Sequence, residues 1–109
     1  MIGVLLTSTC YYKNIDKKIF SDRVEELVNN ITTLEKYIKQ PFELIIADNS
    51  PADLIPTEQI LKIRPKNTLF IRETDNPGKS VGEAILIRDG VHLSYSRGHK
   101  WLLKLSGRY

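Results

Sequence analysis

The chain lacks several features that mark particular protein classes. Cys10 is its one cysteine, so no intrachain disulfide can form, and no Cys/His spacing typical of a metal site is present. No apolar run approaches the roughly 20 residues that span a bilayer. The short apolar run at residues 2–6 lacks the basic flank and cleavage pattern of a signal peptide. These absences predict a cytoplasmic protein, or one peripheral at a membrane surface, without a transmembrane segment.

Positive charge is in small excess. The net charge is +3 and the sequence pI is near 9.0, which suits a phosphorylated ligand, an anionic membrane surface or nucleic acid. Basic residues are scattered, with no run beyond Lys17-Lys18, so the sequence predicts no nucleic-acid partner. At 109 residues and 41% hydrophobic content, residues 1–109 form a single domain with one core. The oligomeric state does not follow from these properties.

Apolar strand-like runs alternate with helical patterns. Strands are predicted near residues 2–8, 42–47, 68–72 and 101–105, long helices near 21–39 and 80–97, and one or two helical turns at 57–63. This β-α-β-(α)-β-α-β order predicts a mainly parallel four-stranded sheet with helices on its faces. The expected fold class is therefore a three-layer α/β/α, Rossmann-like fold.

Each long helix has a predicted buried stripe and predicted ends. Asp22 and Glu25 have capping-box spacing at the start of the first helix, and Gly98 is the predicted stop of the second. Gly90 within the second helix predicts a close contact with the sheet. The first stripe comprises Val24, Leu27, Ile31, Leu34 and Ile38, and the second comprises Val81, Ala84, Ile87, Val91 and Tyr95.

Polar residues follow all four predicted strands. Because the carboxyl ends of parallel strands meet at one edge of the sheet, these hydroxyls, carboxylates, amides and cations are expected to converge there. The loop before the second long helix, with Asn76, Gly78 and Lys79, places backbone N–H groups and a positive helix end at the same edge. Such an edge suits a nucleotide with a diphosphate. The alternative is an ordinary set of polar connecting loops.

These motifs together resemble the N-terminal half of GT-A-type glycosyltransferases, the family-2-like enzymes that use nucleotide-diphosphate sugars. The matching features are Thr7-Ser8-Thr9, Asp48-Asn49-Ser50, Asn76-Pro77-Gly78 with Gly82-Glu83-Ala84, Gly98, and the strand at residues 101–105. The ending at residues 104–109 resembles the Lys-x-x-Gly-Arg-Tyr ending of a divergent subgroup of presumed glycosyltransferases, bacterial and viral. The resemblance covers nearly the whole chain.

The resemblance implies binding of a nucleotide-diphosphate sugar, with a UDP-sugar favoured because the residue at the Asp48 position contacts the base in that family. Transfer would go to a glycan or lipid-linked acceptor, and would require the acceptor-binding half that supplies the usual catalytic base. The chain would then be the N-terminal part of a longer GT-A domain. The implied binding residues are Thr7, Ser8, Thr9, Asp48, Asn49, Asn76, Gly78, Lys79, Glu83, Lys104 and Arg108.

The family's acidic metal-binding motif is replaced here by Ser106-Gly107-Arg108. The sequence therefore predicts no metal ligands at that position and no required cofactor, because Lys79 and Arg108 would offset the diphosphate charge. Mg²⁺ or Mn²⁺ would enter only if a further C-terminal half, Asp75 or Glu73 supplied ligands.

Other sites and functions were weighed on the same residues. A P-loop is excluded because position 73 is Glu where that motif needs Gly. His92 and His99 are interpreted as surface or capping residues, and Cys10 has no identifiable base partner. The competing function is a non-catalytic α/β nucleotide- or phosphate-binding module.

Overall fold

The computed structural model describes residues 1–8, 16–49, 68–72 and 79–106. The predicted short helix at 57–63 lies outside these ranges. No helix within them is long and apolar enough to cross a membrane. The elements in chain order are β1 (Ile2–Ser8), α1 (Lys17–Tyr37), β2 (Phe42–Asp48), β3 (Leu69–Arg72), α2 (Lys79–Ser96) and β4 (Trp101–Ser106).

The strands form one four-stranded sheet in the order β3-β2-β1-β4, and all its pairs are parallel. Ile2 of β1 aligns with Phe42 of β2 on one side and with Trp101 of β4 on the other. The fold is thus Rossmann-like α/β, as the alternating pattern predicts. The chain builds the sheet outward from β1 to β3 and then returns to the opposite side of β1. The reversal of strand order therefore lies between β1 and β4.

Alternating strand residues pack into two hydrophobic clusters, one on each face of the sheet, where the chain length predicts one core. One face of β1 and β2 contributes residues such as Val4 and Leu44 to a cluster with Leu27, Ile31 and Leu34 of α1. The other face contributes Leu5, Ile45 and Ala47 to a cluster with Leu86 of α2. Both faces of the central strands are buried, which explains why they are continuous apolar runs. The predicted stripe of α1 is confirmed, with Val24 and Ile38 at its partly buried ends.

The start of α1 corrects the sequence-based prediction. The helix begins at Lys17, and Asp16 is its N-cap: the Asp16 side chain accepts a 2.7 Å hydrogen bond from the Lys18 amide. Asp22, the predicted capping residue, lies inside the helix and is exposed. Residues 17–20, which the sequence pattern predicts as the end of a loop, form the first turn of the helix instead. Asp16, six residues before the predicted cap, supplies an acceptor for one of the first orphan amides.

The buried face of α2 also differs from the prediction. Val81, Val91 and Tyr95 of the predicted stripe are 55%, 45% and 87% exposed. The face toward the sheet instead carries small residues around Leu86, namely Gly82, Gly90 and Ser94. A Cβ on Gly90 would lie 2.5 Å from Cδ2 of Leu5 in β1, so the predicted close contact at Gly90 is confirmed. The helix approaches the sheet through these small residues and Leu86, while Val81, Val91 and Tyr95 of the predicted stripe remain exposed.

Gly98 ends α2 as predicted. It has a φ of +75°, which a residue without a Cβ adopts at little cost. The Gly98 amide donates to the Tyr95 carbonyl at 3.0 Å, and the His99 amide donates to the Ser94 carbonyl at 3.2 Å. This pair of bonds is a Schellman motif, and it fixes where His99 lies relative to the last turn of the helix.

Candidate functional site

The carboxyl edge of the sheet carries the described part of the predicted site. Thr7 and Ser8 end β1, Asp48 ends β2, and Asn49 follows directly. Lys104 lies near the end of β4, and α2 begins at Lys79 on the way back from β3. Four predicted site residues, Thr9, Asn76, Gly78 and Arg108, lie outside the described ranges.

Ser8 and Asp48 form a buried pair between β1 and β2. They are Cα partners in the parallel register, and the Ser8 hydroxyl donates to Oδ2 of Asp48. The Asn49 amide donates to the Ser8 carbonyl at 3.3 Å, which extends the pairing one residue beyond β2. All three residues are buried, at 7%, 4% and 4% exposure. The pair joins the ends of the two central strands.

Thr7, Glu83 and Lys104 form a second, more accessible group. The Thr7 hydroxyl donates to Oε1 of Glu83 at 2.8 Å, and the Lys104 ammonium lies 2.8 Å from the same oxygen. The Lys104 and Glu83 side chains are 37% and 39% exposed. The three residues come from β1, α2 and β4, so this group lies at the reversal of strand order. Open α/β sheets bind ligands at that place.

The two groups lie on opposite faces of the sheet. Ser8 and Asp48 continue the alternation that points Leu6 and Ile46 toward α1, whereas Thr7 bonds to a residue of α2. We expected the polar strand ends to share one cleft. Within the described residues, the period-two alternation of a strand divides neighbours such as Thr7 and Ser8 between the faces. The structure brings Thr7, Glu83 and Lys104 together and separates them from Asp48.

A third polar group lies at the opposite, amino edge of the sheet, and the sequence analysis missed it. Glu43, the second residue of β2, is buried and accepts two hydrogen bonds from Arg97, at 2.9 and 2.7 Å. It also bonds Nε2 of His99 at 2.9 Å, and Nδ1 of His99 lies 2.8 Å from the Ser94 hydroxyl. The one available signal was a carboxylate inside an otherwise apolar strand, since a buried charge needs a partner.

This amino-edge network stabilises the fold. A carboxylate only accepts, so Nε2–H of His99 donates to Glu43, while the other ring nitrogen, Nδ1, bonds with the Ser94 hydroxyl. The hydrogen bonds from Arg97, with a further contribution from His99, lower the pKa of Glu43 below its ordinary value against the opposing effect of burial. The His99 side chain is 2% exposed and Ser94 is 4% exposed, so the serine hydroxyl is closed to a substrate.

Gly3 makes room for this network. A Cβ on Gly3 of β1 would lie 2.3 Å from Nδ1 of His99 and 2.9 Å from its Cε1. These distances are too short for any other residue at position 3 while the imidazole keeps its place. The network therefore joins β1, β2 and the end of α2 through one ring.

In the part of the chain that the structure describes, no three His, Cys, Asp or Glu side chains cluster as metal ligands would. Residues 73–78 and 107–109 are outside that part, so the expectation about metal stays a prediction. Comparison with protein-family models, with curated proteins and with solved structures found no match to this chain. The function is therefore argued from the geometry of the carboxyl edge.

Proposed function

We propose that the protein binds a nucleotide-diphosphate sugar, with a UDP-sugar favoured, at the carboxyl edge of its sheet. The observation that carries the proposal is the convergence of a hydroxyl and an ammonium, from Thr7 and Lys104, at the reversal of strand order. A fold of this strand order commonly binds nucleotides there. The resemblance of the same residues to GT-A enzymes supplies the sugar.

Lys104, a cation whose side chain is 37% exposed, supports an anionic ligand at this group. Lys104 contributes three donors that can turn toward a phosphate oxygen, and Thr7 contributes a fourth from the adjacent strand. Both are carried by strands whose register is fixed by backbone pairing, Leu5 with Lys104 and Thr7 with Ser106. The backbone beneath both donors is therefore already ordered before a ligand binds. The start of α2 at Lys79 adds the positive end of a helix dipole at this edge.

Glycosyl transfer to a glycan or lipid-linked acceptor is the activity that the resemblance attaches to this site. A binding module without catalysis is the second candidate. It is favoured by the described carboxylates, because Asp48 accepts from Ser8 and Glu83 is paired with Lys104, so each is already engaged. Sugar release or transfer from UDP-sugars, measured alongside binding, separates the two candidates.

Isothermal titration calorimetry with UDP, UDP-sugars, GDP-sugars and uridine tests the binding proposal. Lys104→Met should weaken UDP binding by about tenfold, or about 1.4 kcal/mol, through loss of a phosphate contact. Uridine binding should not change. Lys100→Met is the matched control, since Lys100 is an exposed lysine whose amide lies 3.4 Å from the Met1 carbonyl at the opposite edge. Equal effects of the two substitutions, or no UDP binding by the wild type, would contradict the proposal.

A further inference from the structure

Two hydrogen-bond donors at the carboxyl edge converge on a single oxygen atom. Thr7 Oγ1 and Lys104 Nζ each lie 2.8 Å from Oε1 of Glu83, although they come from different strands. This is the arrangement that an oxygen of a bound phosphate would take between the same donors. Oε1 of Glu83 therefore marks an oxyanion position that the protein fills with its own carboxylate.

The Glu83 carboxylate that fills this oxyanion position is partly exposed, and a ligand can replace it. Glu83 and Lys104 are more than a third exposed, so solvent screens their attraction, and exposed ion pairs of this kind are weak. Glu83 lies in the early part of α2 on a side chain with several rotatable bonds, whereas Thr7 is fixed in β1 and is 2% exposed. Rotation of the Glu83 side chain alone would free both donors without moving the sheet.

The negative charge of Glu83 makes it compete with a phosphate for Thr7 and Lys104. While Glu83 accepts from Thr7 and Lys104, a phosphate finds both donors engaged and a carboxylate beside it. The formal charges of Glu83 and Lys104 cancel, so the paired side chains present no net positive charge to an anion. Without the charge of Glu83, the same two positions would carry the positive charge of Lys104 alone.

We propose that Glu83 is an autoinhibitory contact: its carboxylate engages Thr7 and Lys104 and must leave them when a phosphate group binds. The inference rests on the proposed function for the identity of the ligand, because the phosphate would be that of a nucleoside diphosphate. It predicts that the protein binds such ligands more weakly than Thr7 and Lys104 alone would allow. The negative charge of Glu83 accounts for the lost affinity.

The test compares Glu83→Gln, which keeps the size of the side chain and removes its charge, with Asp89→Asn. Asp89 lies further along the same helix and pairs with its neighbour Arg88 at 3.1 Å, so the control makes the same charge change away from the edge. Calorimetric titrations use UDP, pyrophosphate and uridine with the full chain. Glu83→Ala is a second variant, since its side chain cannot reach Lys104.

We expect both Glu83 variants to bind UDP and pyrophosphate at least threefold more tightly than the wild type. Uridine affinity should stay the same, and Asp89→Asn should match the wild type. Unchanged or weaker UDP binding by the Glu83 variants, with UDP binding by the wild type intact, overturns the inference and leaves the proposed function standing. Tighter pyrophosphate binding without UDP binding supports the inference and refutes the nucleotide. No binding of either anion by the Glu83 variants overturns the inference.

Discussion

At the scale of single residues, the amino edge shows how one buried charge organises its surroundings. Glu43 accepts hydrogen bonds from Arg97 and His99, and His99 in turn bonds to Ser94. Each polar group in this series of hydrogen bonds is a partner of the next, so burial of the Glu43 carboxylate does not leave an unpaired charge. Gly3 belongs to the same group through shape alone, because its missing Cβ leaves the space that the imidazole fills.

Gly3→Ala should destabilise the protein by about 1–3 kcal/mol, as overpacking of a buried site does. The added Cβ would lie within 2.3 Å of His99 Nδ1, so the ring must move and lose its hydrogen bonds. Urea unfolding of a double-mutant cycle with His99→Ala measures the coupling. The double variant should be more stable than the sum of the single effects predicts. Exposed His92→Ala is the control, and additive effects of Gly3→Ala and His99→Ala would contradict the packing argument.

Glu43 should also make stability depend on pH. Because hydrogen bonding, mainly from Arg97, lowers the pKa of Glu43 in the folded protein, the carboxylate stabilises the fold fully at pH values above its ordinary, unfolded-state pKa. That contribution is lost as the pH falls through the folded pKa. Glu43→Gln should lower the free energy of unfolding by about 1–2 kcal/mol at pH 7. The effect is no larger because the Arg97 side chain is half exposed and solvent screens its charge.

The measurement is the free energy of unfolding of wild type and Glu43→Gln between pH 7 and pH 3. The difference between the two proteins should shrink as the pH falls below 4.5. Glu26→Gln, at an exposed position of α1, controls for the change in net charge. A difference that stays constant over this range would show that Glu43 contributes through its shape and not through its charge.

At the scale of secondary structure elements, α2 is attached to the sheet at both ends by polar contacts. Near its start Glu83 reaches Thr7 and Lys104 at the carboxyl edge, and near its end Ser94 joins the network of Glu43 at the amino edge. Between them the helix lies close to β1 because Gly90 presents no side chain to Leu5. These contacts fix the helix along its length and in its rotation.

The N-cap of α1 gives a direct test at the same scale. Asp16→Ala should lower the free energy of unfolding by about 0.5–2 kcal/mol, because the Lys18 amide loses its acceptor. Asp22→Ala is the matched control: it removes the same side chain from an exposed position inside the helix and should have little effect. Thermal or urea unfolding measures both. A larger effect at Asp22 would restore the helix start that the sequence pattern predicts.

At the scale of the whole molecule, the parallel sheet separates two kinds of polar site. All four strands point the same way, so their carboxyl ends form one edge and their amino ends the other. The amino edge holds a buried network that stabilises the fold, and the carboxyl edge holds the half-exposed pair of Glu83 and Lys104. The reversal of strand order between β1 and β4 distinguishes the second edge as a place for a ligand.

The charge available at that edge predicts that nucleotide-sugar binding is largely independent of metal. Lys104, together with Lys79 and Arg108 of the predicted site, would offset the diphosphate charge that an acidic motif and a divalent cation offset in the enzymes the sequence resembles. UDP-sugar affinity should change by less than tenfold, about 1.4 kcal/mol, between manganese and excess chelator. A greater loss in chelator would mean that a metal carries the diphosphate charge and that the interpretation of Arg108 is wrong.

Local sequence patterns predict the order and nature of the described elements. The bounds of β1 follow from its apolar run, the stripe of α1 from its 3.6-residue period, and the end of α2 from Gly98. These signals are local, because each depends on residues within a few positions of one another. The polar strand ends were likewise predictable as an edge, since a parallel sheet places them together whatever their partners.

The faces that those residues occupy, and the partners they bond to, depend on contacts between elements far apart in the chain. The apolar period of α2 favoured Val81, Val91 and Tyr95, but the helix packs through Gly82 and Gly90 because a close helix–sheet distance selects for absent side chains. Glu43 meets Arg97, 54 positions away, and Glu83 meets Lys104, through the topology of the sheet. Strand alternation sends Thr7 and Ser8 to opposite faces, so the partners of adjacent residues depend on which helix covers each face.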